Sequence, residues 1–593
     1  MSSQNTDMFK STVLGHPSGL FVLFFTEMWE RFSYYGMRAL LVMFLTASLM
    51  DHGWGWPKDQ AYVLFGTYTA LVYLSTMLGG YFADNVWGYR KAVVIGALLM
   101  TLGHAAMAME STWSIYLGLT LLVFGSGFFK PNMTSIISHM YKDHQEKKDG
   151  AYTIFYMGVN AGAFLGILLC GYLGEKVGWS LGFGLAGIFM LFGMLQFWKA
   201  QHIFGDIGLK PKKSEIADID SVSEPGEVVD SKPEVNAEKD SLPFPAWQKI
   251  LIAIMVVAGM VWIINDPASK IYDFNVLNFS VFGLSGPVFT ILSTLILFLI
   301  VLVYRIANYG KVTRDKMIAV TFFAFLTIFF WAIFEQAPSS LTTFARDFTD
   351  RQLEGSSALI FKIVNSFMTI IPLGIISWVL VLLFKQTFKK YAMANTILGF
   401  SFVIIWAIAI WMLAVEFQKD AAEVPASWFG VLNSLFIIAF APLFSKWWES
   451  KYNPSATVKY AIGLSLLGVG MACVAFGGRN IAPGAEVASV SMIWLILVYL
   501  FHTLGELCTS PLGLSYVSKL VPGKMIAFMF GIWYLAVAIG MKTAGIFGET
   551  SEVIAKDHGI SYFFWILTVV PIALGILSIL LGKVLKKLMH GVK

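Results

Sequence analysis

Residues 24–41 read FFTEMWERFSYYGMRALL, an apolar stretch that nevertheless holds Glu27, Glu30, Arg31 and Arg38. Apolar residues continue on both sides, so the stretch reads as one helix over 20–48, and about 20 such residues cross a bilayer. Glu27, Glu30, Arg31, Tyr34, Tyr35 and Arg38 recur every three or four residues and share one stripe of that helix. Glu27 stands four residues before Arg31, the favourable order for an ion pair. A charge at mid-membrane costs roughly 2.5–3.5 kcal/mol on insertion scales. The stripe is therefore expected to face a bundle interior and not lipid. Arg38 lies about 27 Å along the helix from Leu20, too deep for a snorkelling end.

The rest of the chain supports a membrane setting. Of 593 residues, 57% are hydrophobic and only 13% charged, against about 25% charged in soluble domains. The net charge of +5 is small and points to no nucleic-acid partner. Cys170, Cys473 and Cys508 all sit in apolar stretches without a CxxC pair, so neither a disulfide frame nor a metal site is expected. The first 19 residues lack an apolar core, so the first span is expected to be retained and not cleaved.

Further spans are expected near 62–83, 92–109, 113–139, 152–174, 180–200, 248–265, 284–305, 317–338, 359–384, 394–415, 428–447, 459–477, 488–509, 525–547 and 561–588. With the first, these make an all-α membrane protein of about sixteen transmembrane helices, both termini on one side. Basic residues cluster in alternate loops, among them Arg90 and Lys91, Lys142, Lys147 and Lys148, Lys385, Lys389 and Lys390, and Lys446 and Lys451. The positive-inside rule makes those loops and both ends cytoplasmic. Arg346 and Arg351 stand on the opposite side, offset by Asp347, Asp350 and Glu354. Residues 206–246 hold ten acids and five lysines with several Ser and Pro residues and almost no aromatics, the composition of a flexible linker.

Three more spans carry buried charge: Lys130 in FGSGFFKPNM, Glu335 in FFWAIFEQAPSS and Glu506 in FHTLGELCTSP. Arg38 and Glu335 each lie about 27 Å from the cytoplasmic start of their helix, and Lys130 and Glu506 about 26 Å from the other side. Two opposite-charge pairs thus share depths across the two halves. Such pairs could latch the outer and inner sides alternately as the halves rock.

Four segments resemble the proton-dependent oligopeptide transporter family of the major facilitator superfamily: ExxERFxYYG at 27–36, GGYFADNVWGYRK at 79–91, FYMGVNAG at 155–162, and GELCTSPLGLSYVSKLVP at 505–522. The resemblance implies two six-helix bundles with extra helices. The expected division is a bundle over 1–200, a flexible cytoplasmic linker over 201–247, an inserted two-helix hairpin over 248–305, and a second bundle over 306–593 with a further hairpin at 359–415. It implies a symporter that imports di- and tripeptides with protons as the coupling ion, without a cofactor, as a monomer in the inner (plasma) membrane. Arg31, Arg38 and Lys130 would hold the peptide carboxylate. Glu506 and Asn160, with Asn433, would hold its amino end. Tyr34, Tyr35, Tyr73, Tyr156, Ser510 and Trp533 would line the cavity. Proton coupling would fall to Glu27 and Glu30 about Arg31, then to Glu335 and Glu506. Asp84, Gly88, Arg90 and Lys91 would brace helices at the second cytoplasmic loop. Physical chemistry agrees: Arg matches a carboxylate bidentately, and aromatic walls accept varied side chains.

Other readings use the same motifs. Another small zwitterion or anion could be the cargo, or the fold could serve as a membrane sensor, although the linker is too short for a signalling domain. No HExxH, nucleophile elbow or Walker motif is present, so no enzyme is expected. FGSGFF follows no strand and reads as close helix packing, not a phosphate loop. His502, four residues before Glu506, reads as a structural histidine.

Overall fold

The computed structural model describes residues 8–210, 244–520 and 526–591. Sixteen helices of 18 residues or more run back and forth: α1 Ser18–Thr46, α2 Lys58–Phe82, α3 Tyr89–Met107, α4 Thr112–Met140, α5 Lys148–Lys176, α6 Trp179–Ala200, α7 Ala246–Tyr272, α8 Gly286–Asn308, α9 Lys311–Phe334, α10 Gly355–Thr387, α11 Ala392–Phe417, α12 Val431–Glu449, α13 Ala456–Gly477, α14 Ile493–Leu520, α15 Ile526–His558 and α16 Ile560–Leu580. Fifteen are long and apolar enough to cross a membrane on composition alone. The exception, α1, carries the four charges, and Glu27, Glu30 and Arg38 are buried in the protein.

Packing repeats between halves. In the first, α1 lies on α5, α2 on α4, and α3 on α4 and α6; in the second, α9 lies on α15, α12 on α14, and α13 on α14 and α16. The first bundle is drawn tight by small residues of the glycine run. A Cβ on Gly79 of α2 would stand 1.8 Å from the Gly127 carbonyl of α4, so only glycine permits that approach.

Between the halves come α7 and α8, whose apolar windows are largely unburied. The second hairpin, α10–α11, belongs to the C-terminal half of the sequence but packs elsewhere. Its α11 lies on α6, and α10 touches α1 and Thr12–Val13. Phe402 meets Phe25 and Trp29 at centroid distances of 5.7 and 5.5 Å, and Phe400 meets Phe192 at 5.9 Å.

Helix bounds depart from the apolar windows where polar turns extend them, as at α5 and α15. The span expected over 317–338 instead stops at Phe334, and the chain resumes as a short helix, Ser340–Asp347. Pro338 explains the break, since it lacks an N–H and disfavours helix at the residue before it. The expected linker is also shorter than 201–247. Residues 201–210 are folded, with a 3₁₀ turn at Gln201–Phe204, and 211–243 lie outside the described residues. Arg90 holds this segment, donating to the carbonyls of Gly205 and, at 2.5 Å, Ile207.

Candidate functional site

Connections carrying Lys142, Lys147, Lys148 and Lys390 share one end of the bundle, called the basic end below. At the opposite end the halves meet. Gly66 of α2 packs on Gly545 of α15, where a Cβ would stand 2.7 Å from the facing Cα. Tyr62 Oη bonds Thr343 Oγ1 at 2.6 Å, and Arg346 donates to Thr46 Oγ1 at 2.7 Å. Lys58 pairs with Asp347 at 2.9 Å. Glu175 of α5 accepts from the Ala426 and Ser427 amides at 2.8 and 2.9 Å. It thereby caps the 3₁₀ turn Ala426–Gly430 that leads into α12. Lys176 and Arg351 share Glu423. Among the described residues, no hydrogen bond or ion pair joins the two bundles at the basic end. Hydrogen bonds and ion pairs among the described residues close the molecule at one end only.

A cavity of about 830 Å³ lies between the halves. Thr134, Tyr152 and Thr153 line it toward the basic end; Glu335, Thr342 and Ser427 line it toward the closed end. Helix α1 presents its polar stripe to it. Arg31 Nε stands 2.7 Å from Glu27 Oε1 and 3.1 Å from Glu30 Oε2, so one guanidinium serves two carboxylates. Neither Glu30 oxygen accepts a hydrogen bond among the described residues. Arg38 pairs with Glu335 across the halves, within 6 Å of the rings of Tyr34, Tyr35 and Phe65.

The second depth-matched pair is not formed. Lys130 Nζ lies over the Tyr34 and Tyr73 rings, at 4.9 and 4.7 Å, and makes no ion pair with a described residue. Glu506 accepts a hydrogen bond from Asn433 Nδ2 at 2.9 Å. The physical reason is the parting of the halves toward the basic end, which separates α4 from α14. Lys130 and Glu506 therefore face one cavity from opposite walls without neutralising each other.

Tyr35, Tyr73, Tyr156, Asn160, Asn433, Ser510 and Trp533 all line the cavity. Tyr34 is buried beneath Lys130 and is not at the cavity surface. Glu30 likewise stands behind Arg31 and is fully buried. Asp84, Gly88, Arg90 and Lys91 lie away from the cavity. Gly88 has φ +77, and a Cβ there would meet the Leu209 carbonyl at 2.7 Å, so this loop seats the segment after α6. His502 lines the cavity, stacked on Phe334 at 6.0 Å, and its Nε2 has no hydrogen bond among the described residues.

Sequence reasoning missed several residues. Lys542 of α15 is buried and donates to Asp266 of α7 and, at 2.7 Å, to Thr67 of α2. Glu416 of α11 accepts from Tyr172 of α5 at 2.7 Å. The signal was present as further charges within apolar helices, but no spacing rule pairs them across such distances in sequence. Arg346 and Arg351, read only as exceptions to the loop-charge pattern, are latch residues.

Two helical bundles of matching internal packing, closed at one end around a central charged cavity, define a membrane transporter of the major facilitator superfamily. The comparisons with known proteins narrow this. The model of the POT family matches residues 90–221 and 405–566. The chain is 30% identical over 602 residues to a di-/tripeptide transporter of Lactococcus lactis subsp. cremoris, covering 100% of each chain. It is 29% identical over 544 residues to the peptide transporter YePEPT of Yersinia enterocolitica subsp. palearctica serotype O:3, covering 91% of this chain and 88% of that one. A crystal structure of a peptide transporter POT in complex with sulfate is similar with TM-score 0.68 and 27% identity, covering 100% of both chains. The chain belongs to the POT family.

Proposed function

We propose that this chain imports di- and tripeptides by alternating access, driven by protons, as a monomer in the plasma membrane with its basic end cytoplasmic. One observation carries the reading: Lys130 and Glu506 face a shared cavity from opposite halves, each without an ion pair among the described residues, as a zwitterion requires. The aromatic walls between them suit side chains of varied shape. The relatives named as di-/tripeptide transporters favour the same cargo.

The stripe on α1 supplies a coupling device. Arg31 already serves Glu27 and Glu30. A peptide carboxylate drawn to Arg31 competes with both, and a buried carboxylate that loses its cation is better off protonated. Substrate and proton thereby stabilise each other's binding.

Binding by purified protein tests the cargo. Dialanine should bind more tightly than N-acetyl-dialanine or dialanine amide, by about 10- to 100-fold, the worth of a hydrogen bond to a charged group. Lys130→Gln should erase the preference for a free carboxylate, and Glu506→Gln the preference for a free amine. Equal binding of free and capped peptides by the unaltered protein would refute the reading.

A further inference from the structure

A second cavity, of about 460 Å³, opens at the basic end, outside the central one. Lys199 and His202, at the end of α6, line one side; Lys390, Tyr391 and the first residues of α11 line the other. We infer that this crevice binds the phosphate headgroup of an anionic phospholipid.

Four observations converge there. Lys199 and Lys390, which line the crevice, make no ion pair with a described carboxylate, although most charged groups at the closed end are paired. The lysine ammonium groups lie over neighbouring rings, Lys199 at 4.3 Å from Trp198 and Lys390 at 5.5 Å from Tyr391, which leaves them available to an anion. Helix α11 begins in the crevice with no side-chain cap, so its first amide groups and the positive end of its dipole point to the same space. Finally, the wall beyond the cations is apolar and unburied: Trp198, Met393 and Phe400 are 47%, 62% and 56% exposed. A free anion has no use for that wall, whereas acyl chains do. Basic pockets between helices at a membrane surface suit lipid headgroups, and tryptophan favours that depth. The crevice lies on the seam between α6 and the inserted hairpin, so a lipid there would bridge them.

Native mass spectrometry of the full chain in detergent tests this, with phosphatidylglycerol, phosphatidylcholine and inorganic phosphate as separate titrants. Phosphatidylglycerol should bind first and most tightly. Lys199→Gln with Lys390→Gln should weaken its first binding about 30-fold, from two charges at a membrane surface. Lys583→Gln with Lys587→Gln, on the C-terminal tail, should leave it unchanged. Both double variants keep dialanine binding if folded, because none of these residues lines the central cavity. Equal weakening by the two double variants would reduce the effect to general surface charge and overturn the site. Inorganic phosphate competing at the affinity of phosphatidylglycerol would overturn it as a lipid site.

Discussion

Arg38 of α1 and Glu335, at the broken end of α9, are 297 residues apart in the chain and pair across the two bundles. Both are buried, at 6% and 5% side-chain exposure. The pair is thus dry while the halves touch and wetted when they part. Removing one partner of a buried pair costs about 3–5 kcal/mol, because the other charge is left unpaired. Glu335→Gln should therefore shift the protein away from the closed-end arrangement by about two to four orders of magnitude. Spin-label distances between the latch ends of α2 and α15 should lengthen in that variant. Unchanged distances would show that the pair does not hold the latch.

The latch carboxylates outside the spans predict a pH window. Burial alone would raise the Asp347 carboxyl, but the hydrogen bonds and charges of Arg346 and Lys58 outweigh it and hold it below its usual range. Glu423 is lowered in the same way, burial being overcome by Lys176 and Arg351. Groups with lowered values stabilise the latch fully above the ordinary carboxylate range of about 4, and that stabilisation fades only as pH falls through the lowered value. Between about pH 5 and 8 the Asp347 and Glu423 ion pairs should therefore be indifferent to pH. Asp347→Asn should change uptake rate while leaving the pH midpoint of uptake where it was. A moved midpoint would place proton sensing in the latch.

Coupling through α1 predicts a split phenotype. Glu30→Gln should abolish concentrative uptake yet spare counterflow exchange, since exchange needs no net proton movement. Loss of both would mean that Glu30 does more than carry a proton.

The packing of α11 on α6 predicts that the second hairpin travels with the N-terminal bundle. Joining Phe192→Cys to Phe400→Cys with a bifunctional thiol reagent, long enough to replace the two rings, should leave transport intact. The same reagent between Tyr62→Cys and Thr343→Cys should arrest it, because that contact spans the latch. Arrest by the first cross-link would show that α11 moves relative to α6.

Much of this was legible from local rules. Helical spacing foretold the stripe on α1 and the Glu27–Arg31 pair, because both partners lie on one helix. Equal depth foretold Arg38 with Glu335, since the membrane fixes the axial coordinate. Depth could not say whether Lys130 and Glu506 touch, because that depends on which end of the bundle is open. Nor could it find Glu175 capping the Ala426 turn, or Asp266 with Lys542, where lateral neighbours decide the partner. The side of the molecule taken by α10–α11 was equally hidden. Their mostly lipid-facing surfaces carry no pattern that names a neighbour.

The central claim is that opposing charges from the two halves hold a peptide in one cavity whose loading is tied to a proton. Uptake of labelled dialanine by proteoliposomes, with and without an imposed inward proton gradient, measures it most directly. The account predicts accumulation above the outside concentration only with the gradient, and none in Glu30→Gln. Accumulation that ignores the gradient would contradict it.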